Sequence, residues 1–235
     1  MSAGEYGYVG SELELFERAV NWKRYWSSQI RPHLGPRVLE VGAGIGTNTS
    51  YLNRGALEWV CIEPDHKMAV ALAARQVAKE LPATRVIAGT VADLPPIPSF
   101  DSIVYIDVLE HIEKDAEEVD QAIRRLRTGG KLIVLAPAHT WLYSPFDKSI
   151  GHFRRYSAAD FRALTRPGLE LVSLRMLDSV GVLVSVVNRF AFKQDMPNIS
   201  QILLWDRVMV PISRLIDPLF FYRFGKSILA VWRRC

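Results

Sequence analysis

Short apolar runs alternate along most of the chain with stretches in which apolar residues recur every three or four positions. Helices are expected in three of those stretches, at about 46–54, 66–80 and 115–127. Alternation at this spacing is typical of βαβ units and predicts a parallel sheet with helices on both faces. The apolar runs, which we predict to be strands, are Val38–Val41, Trp59–Glu63, Thr84–Ala88, Ser102–Ile106 and Lys131–Ala136.

Both ends of the chain add elements to this pattern. Ser11 and Glu14 form a capping-box pair, and apolar residues at helical spacing predict an amphipathic helix from there to about Ile30. The runs 169–177 and Ser227–Trp232 predict a sixth and a seventh strand. The fold class that follows is α/β, a Rossmann-like seven-stranded and mostly parallel sheet with helices on both faces and an N-terminal helix.

An apolar insertion, 180–225, separates the last two predicted strands. Charges interrupt it too often for the ~20 apolar residues that a transmembrane helix requires. The charged residues Asp206, Arg207, Arg214 and Asp217 recur at helical spacing, which predicts helices with a broad apolar face. We favour a helical lid or a dimerisation face, and a membrane-surface element remains the alternative.

The chain is predicted to consist of three parts. They are an N-terminal helical cap (1–34), a sheet domain (35–179 and 226–235) and the insertion or lid (180–225).

Net charge is concentrated near the C-terminus. Residues 186–235 contain eight Lys and Arg but three Asp, whereas the whole chain has a formal net charge of +4. Because of this basic excess, a peripheral membrane contact remains an alternative role for the insertion. Two cysteines, and an N-terminus without a basic segment followed by an apolar one, favour a cytoplasmic protein over a secreted disulfide scaffold.

The first predicted strand runs into three alternating glycines, Glu40-x-Gly42-x-Gly44-x-Gly46. Glycine allows backbone to approach a ligand closely because it lacks Cβ and tolerates unusual dihedral angles. A dinucleotide-binding G-x-G-x-x-G loop would need glycine where Thr47 stands. The pattern instead resembles motif I of the class I S-adenosylmethionine (SAM)-dependent methyltransferases, of the bacterial small-molecule type.

Two further segments follow strand ends where a cofactor would lie. Glu63 ends the second strand, and a carboxylate there can accept both hydroxyls of a ribose. After the third strand the family commonly has Gly-Asp-Ala-x-x-Leu-Pro, but this chain places Thr90 and Val91 at the Asp-Ala positions. Asp93 either accepts a hydrogen bond from the adenine amino group, in place of the acid that the family has earlier in this loop, or only stabilises the turn. Both interpretations stay open.

The segment after the fourth strand contains a candidate base and a candidate metal cluster. The unperturbed pKa of a histidine lies near neutrality, so His111 can take a proton from an acceptor, or it can simply pack beneath the loop. Asp107, Glu110 and His111 resemble the E-x-x-E-H pattern of the ubiquinone-pathway O-methyltransferases and could hold a divalent metal. Such clusters are more often helix starts, so we expect no metal.

The densest run of chemically capable side chains follows the fifth strand and resembles a block of bacterial small-molecule and envelope-associated methyltransferases. His139 and His152 are further candidates for the catalytic base. Loops at the carboxyl edge of a sheet often carry function, so this run is expected to form the acceptor pocket. The candidate acceptor-binding residues are Trp141, Tyr143, Asp147, Arg154 and Tyr156.

The resemblance implies SAM as cofactor and methyl transfer to a hydrophobic or amphiphilic small molecule, with oxygen as the acceptor atom and a histidine base. The cofactor-binding residues that it implies are Glu40, Gly42, Gly44, Gly46, Asn48, Glu63, Pro64, Val91, Asp93, Ile106 and Asp107. An NAD(P)-dependent oxidoreductase and a non-catalytic, membrane-associated adaptor are the alternatives. We expect no nucleic-acid partner, and either a membrane contact or a homodimer through 180–225.

Overall fold

The computed structural model describes residues 16–187 and 198–235. One seven-stranded sheet forms its centre. The strands are β1 (Arg37–Val41), β2 (Glu58–Glu63), β3 (Arg85–Ala88), β4 (Phe100–Ile106), β5 (Leu126–Pro137), β6 (Leu169–Leu177) and β7 (Ser227–Arg234). The α-helices are α1 (Val20–Ile30), α2 (Thr49–Leu52), α3 (His66–Val77), α4 (Asp115–Arg125), α5 (Pro145–Ser149), α6 (Ala158–Ala163), α7 (Ser179–Val187), α8 (Ile199–Leu204) and α9 (Val210–Leu219).

The strand order is β3-β2-β1-β4-β5-β7-β6. The five strands from β3 to β5 are mutually parallel, whereas β7 runs antiparallel between β5 and β6. The order in which strands are added reverses between β1 and β4, because β2 and β3 lie on one side of β1 whereas β4 and β5 lie on the other. Ligands of open α/β sheets bind beyond the carboxyl ends of the strands at such a switch point, so the topology itself locates the site.

Both faces of the sheet are covered, which explains the continuous apolar runs of the central strands. Successive strand residues point to opposite faces, and Val38 and Leu39 of β1 accordingly belong to two different buried clusters. One cluster contains Leu39 and α4, and the other contains Val38 and the aromatic residues of α1. The predicted seven-stranded, mostly parallel fold is confirmed.

Most predicted elements agree with the observed ones to within three residues. The exceptions are the segment near the glycine loop, the N-terminus and β5, which begins at Leu126 and not at Lys131. The helix expected over 46–54 is only Thr49–Leu52, because residues 42–48 form the loop itself. The capping box at Ser11 and Glu14 lies outside the described residues. Within them, the last part of the predicted helix is Val20–Ile30.

The described parts of the insertion are mainly helical, but its charges are arranged differently from the sequence expectation. A π-helical turn, Trp205–Met209, joins α8 to α9. Asp206 and Asp217 are buried against α1 and α7, so they do not lie beside Arg207 and Arg214 on an exposed face. Spacing along a helix does not show which polar residues have partners beneath it. None of the helices in the described part of the chain combines the length and the apolar character that crossing a bilayer requires.

Candidate active site

A cavity of about 830 Å³ lies at the carboxyl ends of the parallel strands. Loops after β1, β2, β3 and β4 form one side of it, and the loop after β5 forms another. Trp22 and Trp26 of α1, together with Trp205 of the insertion, contribute an aromatic wall. The cavity therefore brings together the glycine loop, the histidine-containing loops and the helices outside the sheet.

The three loop glycines have different roles. Gly44, at φ +54°, lines the cavity, and an added Cβ would meet nothing within 4 Å. At Gly42 a Cβ would lie 2.6 Å from Val108, and at Gly46 it would lie 2.4 Å from Leu72. Gly46 does not line the cavity, so it serves the packing of the loop on α3, and the ligand-facing position is Gly44.

Glu40 and Glu63 also differ in position. The Glu40 carboxylate is buried behind the loop, where it accepts hydrogen bonds from Thr49 Oγ1 (2.8 Å) and Trp59 Nε1 (2.9 Å). Burial raises its pKa to about 7, although these hydrogen bonds oppose the shift. Glu40 is not part of the cavity wall, so it supports the loop, contrary to the expectation that it binds the cofactor.

Glu63 lines the cavity and holds the glycine loop in place through a hydrogen bond. Gly44 N donates to its Oε2 (2.7 Å), and Asp65 N donates to its Oε1 (2.9 Å). Burial raises the pKa of the carboxyl. Each oxygen of an ionised carboxylate has a second lone pair, so Glu63 can still accept hydroxyl groups from a ligand.

Five other residues of the predicted cofactor set line the cavity: Asn48, Pro64, Val91, Ile106 and Asp107. Asp93 does not. Its Oδ2 accepts hydrogen bonds from Thr90 N (2.8 Å) and Thr90 Oγ1 (2.9 Å), which makes it the stabiliser of an exposed turn. Of the two readings of Asp93, the structure supports the turn.

The segment after β4 places a group of titratable side chains on the cavity floor. Asp107 has a left-handed backbone at φ +54°. Glu110 is fully buried, neither of its carboxylate oxygens has a hydrogen-bond partner in the described residues, and burial raises its pKa well above the usual range. Burial and the neighbouring His152 lower the pKa of His111 to about 4, so this imidazole is neutral at pH 7.

His152 comes from the loop after β5 and meets His111 edge to face, with 4.5 Å between ring centroids. Its Nδ1 lies 3.0 Å from Asp147 Oδ1, which also accepts from Arg155 Nε (2.8 Å). Burial alone would raise the pKa of Asp147, but hydrogen bonds with His152, Arg155 and Ser144 lower it to about 2. The ionised Asp147 therefore orients His152 and favours a lone pair on Nε2.

The remaining candidates of this loop lie outside the cavity wall. His139 packs between Trp141 and Phe224, and Tyr143 donates its hydroxyl hydrogen bond to the carbonyl of His152. Arg154 and Tyr156 both contact Asp115 Oδ2, at 2.7 and 2.9 Å. In this conformation His139, Trp141, Tyr143, Arg154 and Tyr156 thus stabilise the loop, whereas Asp147 lines the cavity.

Trp205, Lys226, Arg155 and Lys23 are among the residues of the cavity wall that the sequence reasoning missed. Lys226 Nζ lies 4.1 Å from the ring centroid of Trp205, and Arg155 Nη1 is buried without a hydrogen-bond partner in the described residues. Lys23 is buried in α1, and burial lowers its pKa to about 8. These residues carry no local motif, because distant parts of the chain bring them together.

Glu110, His111 and His152 are also the described residues that could hold a metal ion. One potential ligand atom from each lies within 4.8 Å of the others. The group differs from the Asp107, Glu110 and His111 set considered in the sequence, since His152 replaces Asp107.

Comparison with known proteins identifies the domain. Residues 39–134 match the family model described as a methyltransferase domain. The matched segment, 39–134, is a SAM-dependent methyltransferase domain. The match spans β1 to most of β5, including the glycine loop, Glu63 and the segment after β4.

Curated relatives are similar to part of the chain. A tRNA U34 carboxymethyltransferase of Shewanella piezotolerans is 29% identical over 138 residues, which is 56% of this chain and 40% of that protein. A probable SAM-dependent methyltransferase of Mycolicibacterium smegmatis is 28% identical over 151 residues, 63% of this chain and 55% of that one. The chain thus spans about half or less of the length of these relatives.

The fold is also found in solved structures. One of them is the complex between the Haloferax volcanii Trm112 methyltransferase activator and a methyltransferase, with a TM-score of 0.63 and 15% identity. The alignment covers 95% of this chain and 91% of that chain. At this identity the likeness shows the fold, and it shows that a protein with this fold can have a protein partner.

SAM is the cofactor of this domain, and the residues present fit it. The open position of Gly44 leaves room for a ligand against the loop backbone. Glu63 can accept ribose hydroxyls there, and the backbone after Ile106 reaches the same cavity.

Proposed function

We propose that this protein transfers the methyl group of SAM to an oxygen atom of a hydrophobic or amphiphilic small molecule, with a histidine as general base. The observation that carries the proposal is the position of two histidines, His111 and His152, in the cavity that also contains the glycine loop. Donor and acceptor sites that share one cavity allow the near-attack geometry on which a displacement depends.

Each part of the site has a separate role in the proposed reaction. The glycine loop and Glu63 bind and orient the cofactor, which supplies an electrophilic methyl group when bound. Asp147 holds His152 so that Nε2 can accept the acceptor's hydroxyl proton, and His111 is neutral beside it. Trp22, Trp26 and Trp205 exclude water from the reacting atoms.

The lining of the cavity supports an apolar acceptor. Phe16, Phe146 and Phe153 add to the three tryptophans, so six aromatic side chains line the cavity. Pockets of this size and composition suit small organic ligands. The name of the Shewanella relative raises tRNA as a second acceptor class, and the aromatic side chains of the cavity favour the small molecule.

The three-part division of the chain belongs to the same proposal. Trp22 and Trp26 of the cap and Trp205 of the insertion line the cavity, which supports a lid role for 1–34 and 180–225. The sheet domain, 35–179 and 226–235, carries the cofactor loops. We also propose that the protein is cytoplasmic. Both of its cysteines are free thiols, which suits a reducing compartment.

A methylation screen tests this function. The full chain is incubated with radiolabelled SAM and with fractionated lipid-soluble extract, water-soluble extract or bulk tRNA. We expect label in a lipid-soluble small molecule, and loss of that label in the His152→Ala variant. Transfer to tRNA alone would show that the proposed acceptor class is wrong.

A further inference from the structure

The outer side of the insertion carries a continuous apolar stripe. Its residues follow one another at intervals of three or four along α8, the π turn and α9, so they share one helix face. Leu215 and Leu219 are each 74% exposed, and Phe221 at the end of the stripe is 78% exposed. The stripe consists of Leu204, Val208, Ile212, Leu215 and Leu219, continued by Phe220, Phe221 and Phe224.

All exposed charges on residues 198–225 are positive. Arg207, Arg214 and Arg223 are exposed, whereas the two acids of this segment, Asp206 and Asp217, are buried. Asp206 accepts hydrogen bonds from the first turn of α1, and Asp217 accepts from Tyr25 Oη (2.7 Å) and Ser179 N (3.1 Å). The sequence alone shows mixed charge here, but the surface of the segment is purely basic.

We propose that this stripe docks on an anionic lipid bilayer surface. Exposed leucine and phenylalanine side chains can enter the boundary between headgroups and acyl chains, while arginines beside them attract anionic headgroups. Contact between two copies of the same face would bring like charges together, which favours the lipid over a homodimer. Contiguous exposed apolar patches of this kind are uncommon on monomeric proteins without such a role.

The position of the stripe connects the bilayer with the cavity. Trp205, within the same continuous helix, points inward and lines the cavity together with Lys226. Asp178 fixes this arrangement, because it accepts hydrogen bonds from Trp205 Nε1 (2.7 Å) and Ser213 Oγ (2.7 Å). One element therefore presents an apolar face outward and an aromatic wall to the acceptor site. This inference goes beyond the proposed function, since it concerns a surface and does not require catalysis.

Vesicle sedimentation tests the proposal with the full chain. The probes are vesicles of phosphatidylcholine with phosphatidylglycerol, and vesicles of phosphatidylcholine alone. We expect binding to the anionic vesicles, a decrease with added salt, and a loss of at least about tenfold in the double variant Leu215→Glu/Leu219→Glu. The triple variant Arg207→Gln/Arg214→Gln/Arg223→Gln should lose roughly fivefold for each arginine on anionic vesicles.

The matched control is Leu57→Glu/Val77→Glu, because these side chains are 76% and 77% exposed but lie outside the stripe. Its vesicle binding should equal that of the wild type. Binding of S-adenosylhomocysteine by every variant checks that the cofactor domain remains folded. The proposal is overturned if the chain does not bind anionic vesicles, if the stripe and control variants bind equally, or if the stripe variant only dissociates a dimer seen by sedimentation velocity.

Discussion

At the scale of single residues, the structure separates side chains that contact a ligand from those that support them. Motif spacing placed Glu40, Gly46 and Asp93 in the cofactor set, yet the first two hold the glycine loop from behind and the third stabilises a turn. Spacing reports which residues share a loop. It does not report which side of the loop faces the cavity, because that depends on partners such as Thr49 and Leu72.

Gly44 is the residue on which cofactor binding depends most directly. Gly44→Val should weaken SAM binding by about a hundredfold or more, because the side chain would extend into the cavity from a left-handed backbone. Isothermal titration measures this. Gly55→Val is the matched control, since Gly55 also has a positive φ (+97°) and open space but lies outside the cavity. Equal losses in both variants would assign the effect to backbone strain.

The histidine pair sets the expected pH dependence of turnover. His111→Ala and His152→Ala should each lower kcat by about 10²–10⁴-fold with little change in SAM affinity, whereas His139→Ala should have a small effect. Because the pKa of His111 is about 4, His111 stays neutral beside His152 and should cause no loss of rate on the acid side above about pH 4. If His139→Ala is the most damaging variant, the loop must rearrange when the acceptor binds.

A third experiment addresses the metal-capable group. We expect turnover to be unchanged after treatment with a chelator, because the proposed proton transfer uses a histidine side chain as the base and requires no metal ion. Activity lost to the chelator and restored by Zn²⁺ or Mn²⁺ would instead assign His111 and His152, with Glu110, to a metal ion.

At the scale of elements, the strands were predictable because β1, β2 and β4 are buried on both faces, so local composition alone identifies them. The loops after β4 and β5 were predictable as sites but not in detail. Asp147 is an example. It forms a capping box with Ser144, and the same buried carboxylate contacts His152 and Arg155. Only the fold of α5 and its neighbours decides which of these polar residues reach the cavity.

Glu40 links β1, α2 and β2, and its burial predicts a pH-dependent stability. The pKa is about 7 in the folded state against an ordinary 4.5, so the folded state binds more protons between those values and loses stability as pH rises through them. Glu40→Gln should remove this loss, which is about 3 kcal/mol at most at pH 8. Urea denaturation of both proteins at pH 5 and pH 8 measures it. Parallel pH dependences would contradict the assignment.

At the scale of the whole molecule, the cavity is completed by parts that are far apart in the sequence. The sheet and its cofactor loops follow from local patterns, whereas the contacts of α1 with the insertion do not. Two buried aspartates, Asp206 and Asp217, make these contacts. Their role could not be inferred from the sequence, because an aspartate on an amphipathic helix is usually assigned to solvent.

Asp217 joins the insertion to the rest of the molecule. Asp217→Ala should lower the free energy of unfolding by about 3 kcal/mol, because Tyr25 Oη and the backbone amides of Asp178 and Ser179 would lose their buried acceptor. Asp120→Ala, which removes an exposed ion pair with Arg166, should cost less than about 1 kcal/mol. Equal costs in chemical denaturation would mean that the insertion is not held by this network.

The central claim is that the glycine loop, Glu63 and the histidine-lined cavity form a SAM-dependent methyltransferase site. Isothermal titration of the full chain with SAM, S-adenosylhomocysteine and NADH tests it most directly. We expect micromolar or tighter binding of SAM and S-adenosylhomocysteine, and none of NADH, since Thr47 stands where a dinucleotide-binding loop has its third glycine. Binding of NADH without binding of S-adenosylhomocysteine would contradict the account.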